Sequence, residues 1–423
     1  MNEKRMLVIP GGFVPFNDTV TLLSYKQLRN LKCTMDVIAL KGKTDTGIEK
    51  ELNKDPNWKK FNIEYVCDYD QAVASAEKKN VLEGIFNIAK YCIKCYRKSI
   101  QNPYELMYSS SLPAFTHLAA FFIKKKKKNN IKWIASFSDP LYKSPYKYDV
   151  ESFREYSFIN KIGFLVYIFI YMNGIYEKIA IKNADKLIFI CEEQRDFMLF
   201  HYKNKEALEK KSIIIPLNYI GGWSIYDDLV NASKKDEKNN NHQLKFAHFG
   251  RIYGLRKIDK FLIALGELNR EIANLEDKLQ IYFYGELINR YKKQILNLNL
   301  TAIIKAYDKI PYAEAMKEMI SSDVLLLFDT ILENDSIQPY LPSKSLEYIL
   351  LRKPLFILAE RKSPTYRIFS NLNYTCTTYE VSQIKDHLVS LLNKDYKKID
   401  YDITDFENEK IVRAFTESID SLY

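Results

Sequence analysis

Residues 248–265 read HFGRIYGLRKIDKFLIAL and contain the parts of a strand–loop–helix unit in immediate succession. An apolar run ends at Gly250, a short loop with Arg251 and Arg256 follows, and apolar residues then recur at helical spacing through Leu265. Because glycine lets the backbone approach a ligand and the free N–H groups of a helix start attract negative charge, this order is typical of an anion site. Guanidinium groups add bidentate contacts to phosphate oxygens. An ordinary turn with solvated basic residues is the alternative that this segment alone leaves open.

The same alternation of strand and helix patterns extends through the whole chain. The predicted strands are Arg5–Ile9, Met35–Leu40, Ile63–Val66, Leu106–Ser109, Lys132–Phe137, Lys186–Cys191, Ser212–Pro216, Leu244–Phe249, Leu279–Tyr284, Ala302–Lys305, Val324–Phe328 and Leu355–Leu358. Helical patterns lie between most of them, for example over Val20–Arg29, Leu112–Lys126 and Glu192–Phe200. Such alternation predicts an α/β fold with open, mostly parallel sheets and helices on both faces.

A polar stretch over residues 231–242, NASKKDEKNNNH, interrupts the alternation and indicates an exposed loop near a domain boundary. We therefore expect two Rossmann-like domains, residues 1–220 and residues 221–404. A C-terminal helix over residues 405–423 follows, with the N-terminal domain as its candidate packing partner. Because ligands of parallel sheets bind at the carboxyl ends of the strands, the cleft between the domains is the expected active site.

Composition and charge limit the classes of function. The 423 residues are 47% apolar, which is enough for well-packed cores, and the net charge is +10. Residues 1–218 carry +11 and the remainder −1, so the basic excess lies entirely in the first half. A basic first half favours an anionic partner such as a membrane surface or a phosphate-bearing acceptor. No RNP, helix-turn-helix or zinc-finger pattern is visible, which argues against nucleic acid.

The cysteines and the N-terminus indicate a reducing compartment. The six cysteines are scattered, and only Cys92 and Cys95 are close together, with no second pair that would complete a zinc site. The chain begins almost directly with a strand, and no signal peptide precedes it. We expect a cytoplasmic protein, with the inner face of the cell membrane as a candidate peripheral location.

An unusually apolar stretch covers Phe158–Ile181. Its longest uninterrupted apolar run, residues 164–172, is too short to span a bilayer, which needs about 20 residues. A helix lying on a membrane surface and an internal helix packed under the sheet both remain open.

A second constellation lies in residues 335–358, DSIQPYLPSKSLEYILLRKPLFIL. Pro342 is placed at or just before a helix start, and Ser343 could cap it. Lys344 and Glu347 are spaced to share one helix face near its N-terminus. Such a helix start suits a diphosphate, and the carboxylate suits a pair of vicinal hydroxyls. A surface Lys–Glu helix pair is the alternative.

Together the two segments resemble the retaining glycosyltransferases of family 4, which have the GT-B fold of two facing Rossmann-like domains and a deep interdomain cleft. Gly250 and Arg251 match the family's glycine-arginine pair after the first strand of the second domain, and Arg256 stands where a lysine is expected. Residues 346–348 match the second half of the family's glutamate-rich segment, and Lys353-Pro354 match the strand start that follows. The PSK sequence at Pro342, Ser343 and Lys344 looks like a branch of related bacterial transferases.

The chain also departs from the family pattern. The family's first glutamate, which lies beside the donor sugar, is replaced by Pro339. The lysine is an arginine, which keeps the charge but not the geometry. Of a histidine-aspartate pair in the first domain, only Asp139 carries over.

Two further candidates lie in the first domain. The resemblance places Gly11 and Gly12, which follow the first predicted strand, beside the donor phosphates and the acceptor. A glycine turn required by sheet geometry is the alternative. His117 follows another strand end and could face the cleft, although a histidine on an apolar helix is more often packed.

The resemblance implies transfer of a sugar from a UDP- or GDP-linked donor to a hydroxyl of a glycan or lipid-linked glycan, in surface polysaccharide biosynthesis. Arg251, Arg256, Lys344 and the helix starts would stabilise the departing diphosphate, so we expect no metal and no cofactor. Asp139, Arg256 and His117 are the candidate catalytic residues. A nucleotide-sugar 2-epimerase of the same fold and a non-catalytic membrane-docked scaffold are the alternatives. A dehydrogenase is disfavoured because no GxGxxG sequence with a later ribose acid is present.

Overall fold

The structure of the protein, a computed structural model, describes residues 4–16, 19–68, 81–111, 113–127, 130–145, 174–233, 243–332, 336–396 and 399–420. Most of the apolar stretch at 158–181 and of the polar stretch at 231–242 lies outside these residues. The chain divides into two compact units, one formed by Met1–Ile220 with Phe406–Tyr423 and the other by Gly221–Asp405. Among the described residues, no helix is long and apolar enough to cross a membrane.

The first unit contains a seven-stranded parallel sheet with the order β3-β2-β1-β4-β5-β6-β7. Its strands are β1 (Arg5–Gly12), β2 (Thr34–Lys41), β3 (Phe61–Asp68), β4 (Leu106–Ser110), β5 (Lys132–Ser136), β6 (Lys186–Phe189) and β7 (Ser212–Ile214). Its α-helices are α1 (Thr19–Leu28), α2 (Thr46–Lys54), α3 (Val81–Gln101), α4 (Phe115–Lys126), α5 (Ile175–Asn183), α6 (Glu192–Leu199), α7 (Lys205–Lys210) and, at the end of the chain, α16 (Asn408–Asp420). A 3-10 turn covers Pro56–Lys60.

The second unit contains a six-stranded parallel sheet with the order β10-β9-β8-β11-β12-β13. Its strands are β8 (Leu244–Phe249), β9 (Leu279–Tyr284), β10 (Ile304–Tyr307), β11 (Val324–Phe328), β12 (Leu355–Leu358) and β13 (Cys376–Thr377). Its α-helices are α8 (Ser224–Ala232), α9 (Asp259–Glu271), α10 (Leu275–Lys278), α11 (Asn289–Asn297), α12 (Tyr312–Ser321), α13 (Ser345–Leu351), α14 (Pro364–Asn371) and α15 (Val381–Leu392). A 3-10 turn at Ile403–Phe406 leads back to the first unit.

The predicted α/β class with parallel sheets is confirmed, although several strand boundaries differ from the predicted ones by one to three residues. β1 continues through Gly12 instead of ending at Ile9, because Gly11 and Gly12 still pair with the neighbouring strand β2. β10 begins at Ile304, two residues later than predicted, where pairing with β9 starts.

Helices α3, α4 and α5 lie on one face of the first sheet. Tyr91, Ala119 and Ile181, one from each helix, belong to the same buried cluster as Leu7 and Trp133 of the strands. Burial of a large apolar side chain such as Leu7 or Ile181 stabilises the fold by about 1.5–3 kcal/mol. The three helices therefore form one continuous layer, whose opposite side faces away from the sheet.

The end of the chain is held in the first unit by a buried asparagine at the start of α16. The Asn408 amide nitrogen donates to the carbonyl oxygen of Lys26 at 2.8 Å and to the side-chain oxygen of Asn218 at 2.9 Å. The neighbouring Glu409 accepts from Arg29, whose Nε also donates to Asp55 at 3.0 Å. Leaving a buried polar group without its hydrogen-bond partner is energetically costly, so this network holds α16 on the first unit.

We expect Asn408→Ala to lower the free energy of unfolding by about 2–4 kcal/mol, since more than one buried polar group would lose its partner. Chemical denaturation of the full chain measures this. Arg413→Ala is the matched control, because Arg413 is an exposed residue of the same helix. Equal effects of the two substitutions would contradict the structural role given to Asn408.

Candidate functional site

The candidate site lies where the strand order of the second sheet changes direction. β8 lies between β9 and β11, so the connections that leave β8 and enter β11 run over opposite faces of the sheet. Such a point opens a crevice at the carboxyl ends of the strands, where ligands of parallel sheets bind. Residues 248–250 and residues 329–330 border this crevice.

The loop after β8 is fixed by close backbone contacts with the loop after β9. The Gly250 N–H donates to the Tyr284 carbonyl at 2.9 Å, and the Ile252 N–H donates to the Glu286 carbonyl at 3.0 Å. Gly250 has a φ of +138° and Gly285 a φ of +145°, in the region that favours glycine. A Cβ on Gly285 would lie 2.3 Å from the Gly250 carbonyl oxygen, so glycine is required there. The loop is thus preorganised.

The two arginines of the loop occupy different environments. Arg251 is exposed, pairs with Glu286 at 2.6 Å and lies over the Tyr253 ring at 5.1 Å. Arg256 is half-buried, and its Nη1 donates to the Arg251 carbonyl at 3.2 Å. Its Nε is buried and finds no hydrogen-bond partner among the described residues. Arg256 is therefore the inner cation of the loop.

Helix α9 begins directly after this loop. In the described structure, no side chain of its N-cap residue, Ile258, bonds the first turn. The first turn does contain one carboxylate, Asp259, but Arg290, Tyr291 and Tyr379 each donate to it at 3.2–3.3 Å. Its charge is thus already engaged with neighbouring side chains.

The PSK segment forms a turn before α13. The predicted capping role of Ser343 is wrong, because the helix starts at Ser345 and Lys344 occupies the N-cap position. The Ser345 N–H donates to the carbonyl of the buried Pro342 at 3.0 Å, which leaves Ser343 exposed in the turn. The Ser345 hydroxyl is buried and has no hydrogen-bond partner within the described part of the chain.

Glu347 is held in place by two neighbours. Its Oε1 accepts from the Tyr312 hydroxyl at 3.1 Å and from the Lys344 ammonium at 3.2 Å. The ammonium also lies 4.6 Å from the centre of the Tyr312 ring. Glu347 is only 8% exposed, so this is not the surface pair considered as an alternative. Its Oε2 is buried without a partner in the described structure and remains able to accept hydrogen bonds.

Asp329 is a buried carboxyl that the sequence reasoning missed. It directly follows β11, and its Oδ1 accepts from the Thr330 N–H at 2.7 Å and from the Gln338 amide at 2.5 Å. Its Oδ2 has no hydrogen-bond partner among the residues described. Burial raises the pKa of Asp329 to about 6, against the smaller lowering effects of the Thr365 hydroxyl and the Arg256 charge. The sequence feature that could have identified Asp329 is its position directly after a predicted strand.

His248 is a second missed residue, although it lies within the segment that identified the loop. Its Nδ1 is 3.0 Å from the Leu326 carbonyl, which can only accept, so Nδ1 carries the proton and Nε2 is an acceptor. Burial lowers the pKa of His248 to about 4, and the Arg256 charge contributes in the same direction. Nε2 is buried with no partner in the described portion of the chain, 3.7 Å from the place a Cβ of Gly250 would take. It therefore faces the loop.

In the first unit, Gly11 and Gly12 have steric roles. Gly11 has a φ of +76°, and a Cβ there would lie 2.4 Å from Cδ of Pro113. A Cβ on Gly12 would lie 3.0 Å from both Phe16 and Thr21. The alternative of glycines required by sheet geometry therefore explains both positions, and their contact with a ligand stays a prediction.

His117 and Asp139 lie in different surroundings of the first unit. His117 is fully buried beside Phe137, its Nδ1 lies 2.8 Å from the Ser109 hydroxyl oxygen, and burial lowers its pKa to about 3. This is the environment of a histidine packed in the core, which is the alternative that its apolar helix favoured. Asp139 is half-buried in the segment that follows β5. Gly250 and Arg256 thus lie at this crevice with the missed Asp329 and His248, since the Arg256 charge acts on both of them. The helix that carries Glu347 reaches the same place through its neighbour Tyr348, whose hydroxyl donates to the Leu326 carbonyl at 3.3 Å.

The described residues contain no group of three or more histidine, cysteine, aspartate or glutamate side chains that could hold a metal ion. Cys92 and Cys95 are both free thiols in α3.

The sequence matches no family model and no curated protein. The structure is nevertheless similar to solved glycosyltransferases over nearly the whole chain. HepE of Anabaena, solved with UDP, is 13% identical, with a TM-score of 0.58 over 99% of this chain and 100% of that chain. The lipopolysaccharide outer core galactosyltransferase WaaB is 12% identical, with a TM-score of 0.59 over 99% of this chain and 100% of that chain. WaaG, a glycosyltransferase involved in lipopolysaccharide biosynthesis, is 13% identical, with a TM-score of 0.54 over 98% and 93%.

At these identities the likeness establishes the fold. The predicted GT-B class, with two Rossmann-like units, is confirmed. Membership of the retaining family 4 stays a prediction.

The close approach of Gly285 to Gly250 can be tested by adding one methyl group. We expect Gly285→Ala to lower the free energy of unfolding by about 1–3 kcal/mol more than Gly222→Ala, because the new Cβ would overlap the Gly250 carbonyl. Gly222 is the matched control, since its φ is also positive, at +81°, but a Cβ there meets nothing described within 4 Å. Equal losses in chemical denaturation would show that the approach is not constrained.

The raised pKa of Asp329 predicts a stability effect with a defined sign. The folded protein retains the proton up to a pH of about 6, whereas an ordinary aspartate releases it near 3.8, so wild-type stability falls as the pH rises through this window. Asp329→Asn removes the charge and retains an acceptor for Thr330 and Gln338. We expect it to raise the free energy of unfolding by about 2–3 kcal/mol at pH 8 and to change it little at pH 4. Denaturation at both pH values measures this, and a loss of stability at pH 8 would contradict the assignment.

Proposed function

We propose that the protein is a glycosyltransferase that moves a hexosyl group from a nucleoside diphosphate sugar to a hydroxyl of a glycan or lipid-linked glycan. The observation that carries this proposal is a set of buried polar atoms around one crevice of the second unit that lack partners in the described structure: Arg256 Nε, Glu347 Oε2, Asp329 Oδ2 and His248 Nε2. Since unpaired buried polar atoms are costly, a ligand rich in donors and acceptors accounts for them.

The cationic side of the crevice suits the diphosphate. Arg256 offers an unpaired guanidinium N–H beside the start of α9, where backbone N–H groups add positive potential. Arg251 lies over the Tyr253 ring and forms an exposed pair with Glu286. Such exposed pairs are worth about 0–1 kcal/mol, so a phosphate can compete for the guanidinium. Lys344 lies at the start of helix α13, in the N-cap position. These groups would stabilise the negative charge of the departing diphosphate without a metal ion.

The acidic side suits the sugar hydroxyls. Tyr312 and Lys344 hold one oxygen of Glu347, and the other is without a partner in the described structure. The lone pairs of that second oxygen can accept hydrogen bonds from the vicinal hydroxyls of a ribose. Asp329 and His248 offer further acceptors in the place where the family's glutamate is replaced by Pro339. We propose that they contact the donor sugar.

In the proposed reaction, the bond between the anomeric carbon and the diphosphate oxygen breaks through an oxocarbenium-like transition state. The acceptor oxygen forms the new glycosidic bond, and its proton passes to the departing diphosphate. Arg256 stabilises the leaving group. Asp139 is the candidate contribution of the first unit, and retention of the anomeric configuration follows from the family resemblance. UDP is the first nucleotide to test, because HepE was solved with UDP-glucose. Surface polysaccharide biosynthesis at the cytoplasmic face of the membrane is the proposed setting.

Nucleotide binding tests the donor site directly. We expect UDP at one hundred times its dissociation constant to raise the free energy of unfolding by about 2.7 kcal/mol. Arg256→Ala and Glu347→Gln should each weaken UDP binding by about tenfold to a hundredfold, because each loses a charge-assisted hydrogen bond, and should abolish transfer from UDP-sugars. Thermal-shift titration with UDP, GDP and ADP, and their sugars, measures binding.

Arg270→Ala and Glu276→Gln are the matched controls, because both residues are exposed in the same unit. They should bind UDP as the wild type does. No shift with any nucleotide would favour the non-catalytic scaffold. A shift without an acceptor-dependent product would favour the 2-epimerase.

A further inference from the structure

Helix α3 presents large apolar side chains to solvent. Phe86, Ile93 and Ile100 are seven residues apart, so they form one stripe along the helix. Their exposed fractions are 68%, 52% and 60%. The opposite side of the helix already packs on the core of the unit, where Tyr91 and Cys95 are buried. A helix on the surface of a soluble unit should be polar on this outer side, so the stripe indicates a contact with something outside the chain.

Basic residues flank this stripe. Lys90 and Arg97 are exposed one helical turn after Phe86 and Ile93, respectively. Lys94 and Lys98 lie nearby and pair with Glu64 of the neighbouring strand β3, the second pair at 3.6 Å. Lys90 and Arg97 have no salt-bridge partner among the described residues, so their charges are available for an anionic partner.

The same combination continues across the helical layer. α4 exposes Phe122 at 51%, with Lys125 and Lys126 close behind it, and α5 exposes Ile175 and Lys182. On the described side chains of α3, α4 and α5, every exposed or half-buried charge is basic, since the single acid there, Glu177, is buried. The described side chains of the layer are therefore both apolar and, where charged and accessible, basic. We call this layer the α3–α5 face.

A shallow cavity adjoins the stripe. It has a volume of about 370 Å³ and lies between α3 and the edge strand β3. Tyr65, Phe86 and Ile93 supply its apolar lining, and Lys90 and Arg97 lie at the same opening. The arrangement suits a molecule with an apolar part and an anionic group.

We propose that the α3–α5 face docks on an anionic lipid bilayer, with Phe86, Ile93 and Ile100 inserted at the headgroup level and the flanking cations on lipid phosphates. Bilayers of this kind accept both features at once, because apolar side chains enter the acyl boundary and lysines and arginines bind the negative surface. Docking of a second copy of the chain through its own α3–α5 face is disfavoured, since it would place like charges against each other. This docking is independent of the proposed donor site.

Vesicle flotation of the full chain tests the proposal. We expect binding to vesicles of equal parts phosphatidylcholine and phosphatidylglycerol, little binding to phosphatidylcholine alone, and weakening with salt. Lys90→Gln with Arg97→Gln should lower the affinity by about twenty-fivefold, at about fivefold per cation. Phe86→Ser, Ile93→Ser and Ile100→Ser combined should lower it at least about tenfold.

The matched control lies on α11 of the second unit, where Leu296 is 62% exposed beside the exposed Lys292 and Lys293. Lys292→Gln, Lys293→Gln and Leu296→Ser combined should leave vesicle binding unchanged. Absence of wild-type binding, equal binding to both kinds of vesicle, or an equal loss in this control would overturn the proposal. A lipid-free dimer that the serine variant dissociates would overturn it in favour of a second copy.

Because flotation is done without nucleotide, a failure of donor binding leaves its result unaffected. Conversely, loss of vesicle binding in variants that still respond to UDP would separate docking from the donor site.

Discussion

The second unit depends on the parallel pairing of β8 with both β9 and β11. In this strand order, the connection from β8 to β9 and the connection from β10 to β11 run over opposite faces of the sheet. The loops that follow β8 and β11 therefore leave the sheet edge in opposite directions. Gly250 and Asp329, which are far apart in sequence, meet at this point. The backbone bonds between the loop after β8 and the loop after β9 then fix Gly250 and Arg256 before any ligand arrives. Preorganisation of this kind lowers the cost of binding.

The first sheet has a corresponding reversal of strand order between β1 and β4, but its carboxyl edge is filled by the chain itself. Pro113 packs on Gly11, and the Ser110 hydroxyl donates to the Pro10 carbonyl at 3.0 Å. At the second reversal, polar atoms of Arg256 and Glu347 stay without partners among the described residues. The two sheets share the order of their first six strands and differ in what occupies the same place, and this difference supports the donor site proposed in the second unit.

The sequence predicted the features that depend on local pattern. Alternating apolar runs predicted the sheets, and the glycine and arginines after β8 predicted the loop. The role of Asp329 was missed, because it depends on the hydrogen bond from Gln338 and on the pairing of β11 with β8. A local sequence pattern shows neither of these contacts. The error at Ser343 has a local cause, since a turn that begins at Pro342 moves the N-cap position from Ser343 to Lys344, one residue later. The burial of His117 agrees with the packed alternative that its apolar helix favoured.

The return of α16 to the first unit has a consequence for synthesis. Arg29 and the Lys26 carbonyl are made early, but their partners Glu409 and Asn408 emerge only after the whole second unit has been translated. At about 5–20 residues per second, roughly 10–40 s pass on the ribosome between Ile220, where the first segment of the first unit ends, and Phe406, where its second segment begins. The second unit is continuous in sequence and can fold within that interval. The unit that the ribosome starts first is therefore the one that completes its fold last.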